Sequence, residues 1–418
     1  MTINKSLANK RSNARVRVWT VSVTIAVSVF LLVLAGASAQ QDSSRQRPRR
    51  VGQPQPSPTP QTSGAPAPTQ PGEEVGEGDV VRVDTQLVSV PAVVTDSAGH
   101  PLAGLRAENF RLFENGQPQV ISNFATTDAP FEVALLLDTS GSTRADVQLI
   151  RRAASLFIDS LRPGDRVAII SFNVVRAERD SLATVEVNTP LTNDRARLRM
   201  ALESVGASNG TPFYDALERI SDDIFNEPPR EEVRGRRAVV AMTDGVDSSS
   251  DAEFAEARAK LLRAGVTCYF VQVNTEDYVE ERLMRDCNDF GTLRLSRTQL
   301  QRYRRIFVPR APAGDYSSFC QMGQFERMKI SRDLYNLARS EMADLARSSG
   351  GKAFEAADLR DARAAFSQVA NEIGTQYSLG YYPANKARDG RFRAIRVELK
   401  GVARGAQVRA REGYYAPK

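Results

Sequence analysis

The nine residues LLLDTSGST, Leu135 to Thr143, carry the first chemistry visible in the sequence. A continuous apolar run ends in Asp138, and Thr139, Ser140, Ser142 and Thr143 follow around Gly141. A carboxylate and hydroxyls straight after a buried strand fit one of two roles. They can cap the next helix, because Asp, Ser and Thr oxygens accept hydrogen bonds from the free amides of a helix start. They can also hold a hard cation, which takes oxygen ligands. Two further segments favour the cation. SNGTPFYDAL places Thr211 just before a helical pattern, and AMTDGVDSS places Asp244 at the end of another apolar strand. In open α/β sheets the carboxyl ends of the strands form the ligand crevice. Asp138, Ser140, Ser142, Thr211 and Asp244 can therefore meet there. An oxygen set of such low charge suits Mg2+, with Mn2+ or Ca2+ as alternatives.

The elements that must position these residues are legible as a pattern. From Glu132 onward short apolar runs alternate with helical periods: FEVALLLD before DVQLIRRAASLFIDSL, RVAIISF before RARLRMALESV and PFYDALERISDDIF, RRAVVAMTD before DAEFAEARAKLLRAG, then VTCYFVQVN. Alternating β and α with continuously apolar strands predicts an α/β fold, a doubly wound and mainly parallel sheet covered on both faces. We place this domain at 130–375. Within it, 274–332 breaks the alternation for too long to be a plain loop and reads as an insertion at one end of the sheet; helical periodicity resumes at Arg332. On either side, 79–128 and 376–418 read as strands and turns, and Asn115-Gly116 between alternating runs predicts a hairpin. Neither flank has enough strands to close a core. Their pairing into one small sandwich-like β module, with the α/β domain inserted, is the expected arrangement.

With those elements in place, the Asp-x-Ser-x-Ser of Asp138, Ser140 and Ser142, the isolated Thr211 and the strand-end Asp244, in that order, resemble the metal-ion-dependent adhesion site of von Willebrand factor A domains. The resemblance covers about 130–375, and with the flanks the chain is similar to exported bacterial proteins described as VWFA-related. The insertion at 274–332 departs from the family pattern. The resemblance implies a Rossmann-like sheet and direct hydroxyl ligation by Ser140, Ser142 and Thr211. It implies that Asp138 and Asp244 hold the ion largely through waters, and that an open position accepts an acidic side chain of a protein partner. The function it implies is adhesion and not catalysis. The alternative is a structural subunit of a cell-envelope complex, stabilised by the ion and the β module.

The rest of the sequence bounds the setting. The first 39 residues have a basic start, the apolar stretch VWTVSVTIAVSVFLLVLAGASA and the small-x-small Ala37-Ser38-Ala39, which predicts an export signal cleaved after Ala39, or else an uncleaved membrane anchor. Export places the folded part in the periplasm, on the cell surface or outside the cell, with no membrane insertion after cleavage. Residues 40–78, rich in Pro, Gln, Ser and Thr, predict a disordered linker. The five basic residues of the signal supply all but one of the formal +6 charges, so global basicity is no argument for nucleic acid. A local basic run at 291–314, with Arg294, Arg297, Arg302, Arg304, Arg305 and Arg310, could meet an anionic surface, although a solvated face is the plainer reading.

Three cysteines exclude a disulfide scaffold. Cys268, in VTCYFVQV, reads as a buried inert thiol, whereas Cys287 and Cys320 bracket the insertion and could close it by a disulfide. The Gly206-Ala207-Ser208-Asn209-Gly210 match to a hydrolase elbow follows a helical segment instead of a strand, and the one histidine, His100, sits in a turn. Asp247, Ser248, Ser249 and Asp251 could form a second cation site; capping of the helix that follows is the better reading.

Overall fold

The computed structural model describes residues 87–418 except 127–128, 142–146, 177–180, 288, 290–292 and 359. The export signal, the linker and the candidate ligand Ser142 lie outside the described residues. Among those that are described, no helix is long and apolar enough to cross a membrane.

The chain opens with β1 (Val88–Thr95), β2 (Phe110–Glu114), β3 (Gln117–Gln119) and β4 (Ile121–Ala125). It then enters β5 (Glu132–Leu137), α1 (Val147–Ser160), β6 (Arg166–Arg176), β7 (Ser181–Thr192), α2 (Arg195–Ser204) and α3 (Phe213–Arg219). Next come β8 (Arg237–Thr243), α4 (Phe254–Arg263), β9 (Thr267–Val273), α5 (Glu276–Leu283), α6 (Arg297–Phe307), α7 (Gln324–Ser349), β10 (Ala353–Ala356) and α8 (Ala362–Gly374). The end of the chain forms β11 (Tyr377–Tyr381), β12 (Phe392–Leu399), β13 (Gln407–Ala410) and β14 (Gly413–Tyr415).

The central sheet has the order β10-β9-β8-β5-β6-β7 and is parallel except for β7. Every residue of β5 and β8 is buried, as a strand covered on both faces requires. Side chains alternate between the faces. Val133, Leu135 and Leu137 join Phe157 of α1, Leu198 of α2 and Phe366 of α8. Ala134 and Leu136 join Leu217 of α3, Leu261 of α4 and Met342 and Leu345 of α7. The sheet is thus doubly wound, an α/β fold of the expected class. One strand was not anticipated: β7 pairs antiparallel with β6 at the sheet edge. Its Pro190 lowers its strand signal, and an edge position is where a strand tolerates proline.

Two antiparallel sheets, β13-β1-β11-β4 and β14-β12-β2-β3, combine strands from both ends of the chain. Their shared core takes Val90, Ala92, Val94, Phe110 and Leu112 from the first part, and Tyr377, Leu379, Tyr381, Ile395 and Tyr414 from the last. Buried Glu114 accepts hydrogen bonds from the hydroxyls of Tyr381 (2.7 Å) and Tyr414 (3.0 Å), joining the two segments by charge-assisted contacts. The β2–β3 turn has Glu114 opposite Gln117, with Asn115 at φ 48° and Gly116 at φ 82°. Two successive positive φ values are what the type I′ hairpin demands, and Asn-Gly supplies them at low cost.

The insertion is folded. α5, α6 and two short 3₁₀ turns gather Leu283, Leu295, Leu300, Tyr303, Phe319 and Met322 against Ile330 and Leu334 of α7. The helix expected from Arg332 starts at Gln324, so its first turns belong to the insertion's own core. Cys287 and Cys320 are disulfide-bonded, with Cα atoms 5.8 Å apart, and Cys268 is a buried free thiol. Closing a 33-residue separation is worth about 3–4 kcal/mol in the loop-entropy account. Burial pushes the Cys268 thiol up to about 12, which leaves it protonated and unreactive at neutral pH. Thiol counting on denatured, unreduced protein should therefore give one, and the folded protein should give none on the same timescale. A count of three after denaturation would contradict the bond.

Candidate functional site

The carboxyl ends of β5 and β8 lie side by side, because Leu137 is in register with Met242. Asp138 and Thr243 therefore emerge level with each other. The Thr243 hydroxyl donates to Asp138 Oδ2 at 2.6 Å, and the Ser140 amide donates to Oδ1 at 3.0 Å. Asp138 is fully buried. One residue beyond Thr243, Asp244 accepts from the Thr275 hydroxyl (2.6 Å) at Oδ2 and from the Val246 amide (3.1 Å) at Oδ1. Thr275 in turn shares a hydrogen bond with the Tyr335 hydroxyl at 2.7 Å. Burial, together with the neighbouring Asp244 carboxylate, pushes the Asp138 carboxyl up to about 7.

Thr211 arrives from the loop before α3. The Ser208 amide donates to Thr139 O at 2.8 Å, which ties that loop to the end of β5. The Thr211 amide donates to Ser248 Oγ at 2.7 Å, and the Ser248 amide returns a bond to Thr211 O at 3.0 Å. Ser140, Thr211 and Asp244 line one cavity of about 110 Å3, with Asp138 behind them. Of the five expected residues the structure thus brings four to one place; Ser142 lies outside the described residues. Gly245 separates Asp244 from Val246 at φ 75°, and a Cβ there would lie 2.4 Å from Met342 Cε. Glycine is what lets α7 pack against this loop.

The donor chemistry fits a hard divalent cation. The two carboxylates are buried at electrostatic range of each other, and hydroxyls and backbone amides donate to both. Among the described residues, no three His, Cys, Asp or Glu side chains cluster at metal-holding range.

Two sequence readings resolve differently, and a third holds. Asp247 does not cap the helix that follows it: Oδ2 accepts from the amides of Phe213 (2.9 Å) and Tyr214 (3.2 Å), so it caps α3, and Ser250 joins it there. Its Oδ1 receives Arg302 of α6 at 2.8 Å in a buried ion pair, with the guanidinium 4.5 Å from the Tyr214 ring centre. Arg302, read as part of a solvated basic run, is therefore a buried clamp between the insertion and the start of α3, while Arg305 pairs with Glu253 at 2.7 Å. Ser208 of the elbow-like motif is buried, follows α2, and donates to Gly210 O at 3.0 Å; His100 is exposed beside Asp96. Sequence reasoning missed Thr243, Thr275 and Tyr335. Thr243 was detectable as the hydroxyl one residue before the strand-end Asp244, but Thr275 and Tyr335 reach the site only through the fold.

These strand ends and loops define a Rossmann-like α/β domain with an oxygen-lined cavity at its crevice. Residues 132–290 match the family model of the von Willebrand factor type A domain, and the mainly parallel central sheet is that fold. Among solved structures, the chain is similar to the conserved hypothetical protein BatB from Bacteroides thetaiotaomicron, at 18% identity over 58% of this chain and 98% of that one, with TM-score 0.35. It is also similar to a von Willebrand factor type A protein from Catenulispora acidiphila, at 14% identity over 81% of this chain and 76% of that one, TM-score 0.37. The vWF domain of the type V pili tip protein Mfa5 from Porphyromonas gingivalis aligns at 18% identity over 29% of this chain and 40% of that one, TM-score 0.23. No curated relative matches the chain.

The raised Asp138 carboxyl has a consequence for stability. The usual carboxylate value is 3.8 and the folded one about 7, so between these the folded state binds the extra proton. Stability from this group is fully present below about pH 4 and lost as pH rises through about 7. In chelator, wild-type protein should melt higher at pH 5 than at pH 8, and Asp138→Asn should flatten that difference. An unchanged slope in the variant would contradict the assignment.

Proposed function

We propose that this chain is an exported, non-enzymatic binding protein whose von Willebrand factor A domain uses a divalent cation, Mg2+ or a similar ion, to capture an acidic group of a protein partner. The observation that carries the reading is the convergence of Ser140, Thr211 and Asp244, from three separate segments, on one cavity with Asp138 behind them. Ser140, Thr211 and, by the sequence pattern, Ser142 would hold the ion through hydroxyls, with Asp138 and Asp244 acting largely through waters. A bound divalent ion would supply positive charge between two buried carboxylates and an open position for an outside oxygen. The chain's own part is to orient these oxygens. Thr243 and the Ser140 amide fix Asp138, Thr275 and Tyr335 fix Asp244, and Ser248 fixes the backbone of Thr211. Neutral hydroxyl ligands leave the ion electron-poor, which favours an external carboxylate.

A second reading is supported by burial. Thr211 is 6% exposed and Asp244 4%, so the ion could act as an internal staple in a structural subunit of an envelope complex. Capture from a native envelope fraction, with Mg2+ and with chelator, separates the two. Partner binding should require Mg2+ and should disappear in Asp138→Ala and Thr211→Ala, both of which should remain folded. The stability loss in Thr211→Ala should be confined to the missing ion linkage, about 2.7 kcal/mol at a hundredfold excess of ion over Kd, whereas Asp138→Ala also strands the Thr243 hydroxyl and the Ser140 amide and should lose about 1–3 kcal/mol more. Equal capture in all conditions would leave the structural reading.

A further inference from the structure

The cavity that holds the candidate ligands is roofed by the insertion. Val279 and Leu283 come from α5, Leu293 and Leu295 from the segment before α6, and Leu334 from α7. This roof is fixed to the site's own loops. The Ser296 hydroxyl donates to Ser248 O at 2.6 Å, and Ser248 holds the Thr211 amide. The buried Arg302–Asp247 pair clamps α6 to the start of α3, and the Cys287–Cys320 bond closes the insertion on itself. The half-open cavity has about 110 Å3, well under the roughly 300 Å3 at which ordinary small-molecule pockets begin. A cavity of about 540 Å3 lies on the far side of Asp244 and Tyr335, but neither Ser140 nor Thr211 lines it.

One polar atom in the roofed cavity is left over. Ser331, on α7, is 1% exposed and lines the same space, and its hydroxyl has no hydrogen-bond partner. A buried hydroxyl without a partner costs stability, so its presence among leucines calls for an acceptor that arrives with a ligand. At the mouth, exposed Arg294 adds positive charge; its Nη2 donates to Cys287 O at 2.6 Å.

We propose that the site takes a slender carboxylate, one acetate-like group that passes under the roof and accepts a hydrogen bond from Ser331, and that the insertion excludes any bulky acid. This rests on the cation reading and narrows its ligand. A flat acidic protein face cannot reach Ser140 and Thr211 past Leu283 and Leu295. A carboxylate on an extended chain or a free small acid can. Arg294 draws such a group to the entrance by long-range attraction.

The test uses the full chain and separates the two layers. Mn2+ binding is followed by the loss of the free-ion electron paramagnetic resonance signal. The Mn2+-loaded protein is then titrated with 13C-carboxyl acetate and, separately, with 13C-carboxyl adamantane-1-carboxylate, and paramagnetic broadening reports approach to the ion. Acetate should be broadened at least about tenfold more strongly than the bulky acid, the scale on which pocket shape discriminates. Ser331→Ala should weaken acetate binding about tenfold, as loss of one hydrogen bond to a charged group does. It should leave Mn2+ affinity unchanged and the melting temperature unchanged or raised, because an unsatisfied hydroxyl has been removed. Equal broadening by both acids, no broadening by acetate, or unaltered acetate binding in Ser331→Ala would overturn this proposal while bound Mn2+ leaves the cation reading intact. Absence of Mn2+ binding to wild type would remove both.

Discussion

The structure turns on two carboxylates, Asp138 and Asp244, buried at the ends of adjacent strands. Removing a carboxylate from water is costly, and placing a second one nearby adds repulsion. The protein answers with hydroxyl and amide donors: Thr243 and the Ser140 amide for one, Thr275 and the Val246 amide for the other. A divalent cation, as proposed, would add positive charge to this pair and would use the neutral oxygens of Ser140 and Thr211 beside it.

The same constraint orders the elements around it. Parallel pairing of β5 with β8 sets Asp138 level with Thr243, one residue before Asp244, and the loop between α2 and α3 brings Thr211 within reach, tied to the end of β5 by the Ser208 amide–Thr139 carbonyl bond. The insertion then covers the result. Its attachments are polar and specific, above all the Arg302–Asp247 pair. Breaking such a buried pair by removing one partner costs about 3–5 kcal/mol, because the other charge is stranded. Roof and site are thus mechanically one unit: Asp247 caps the helix that follows Thr211 and simultaneously holds α6.

Local patterns made much of this legible. Unbroken apolar runs such as Val133–Leu137 announced buried parallel strands, and Asn115-Gly116 announced its hairpin. Asp138, Ser140, Thr211 and Asp244 were readable because each sits at a strand end or helix start, where polar residues stand out against an apolar run. What escaped was non-local. β7 is an edge strand whose alternation is diluted by Pro190 and polar residues, so it lacks the continuous apolar signature of its neighbours. The first turns of α7 answer to the insertion's core and not to the sheet. Arg302 reads as one more base in a basic run, and only the fold delivers it to Asp247, 55 positions earlier. Thr275 and Tyr335 reach Asp244 in the same way, from elements that their own flanking residues do not link to a site.

The central claim is that the buried carboxylate pair and its hydroxyls form a divalent-cation site. Anomalous diffraction at the manganese edge, from crystals of the full chain grown with Mn2+, tests it most directly. The account predicts a single strong peak bounded by Ser140, Thr211 and Asp244, lost in Asp138→Ala. A peak elsewhere, or no peak at that position with Mn2+ saturating, would contradict it.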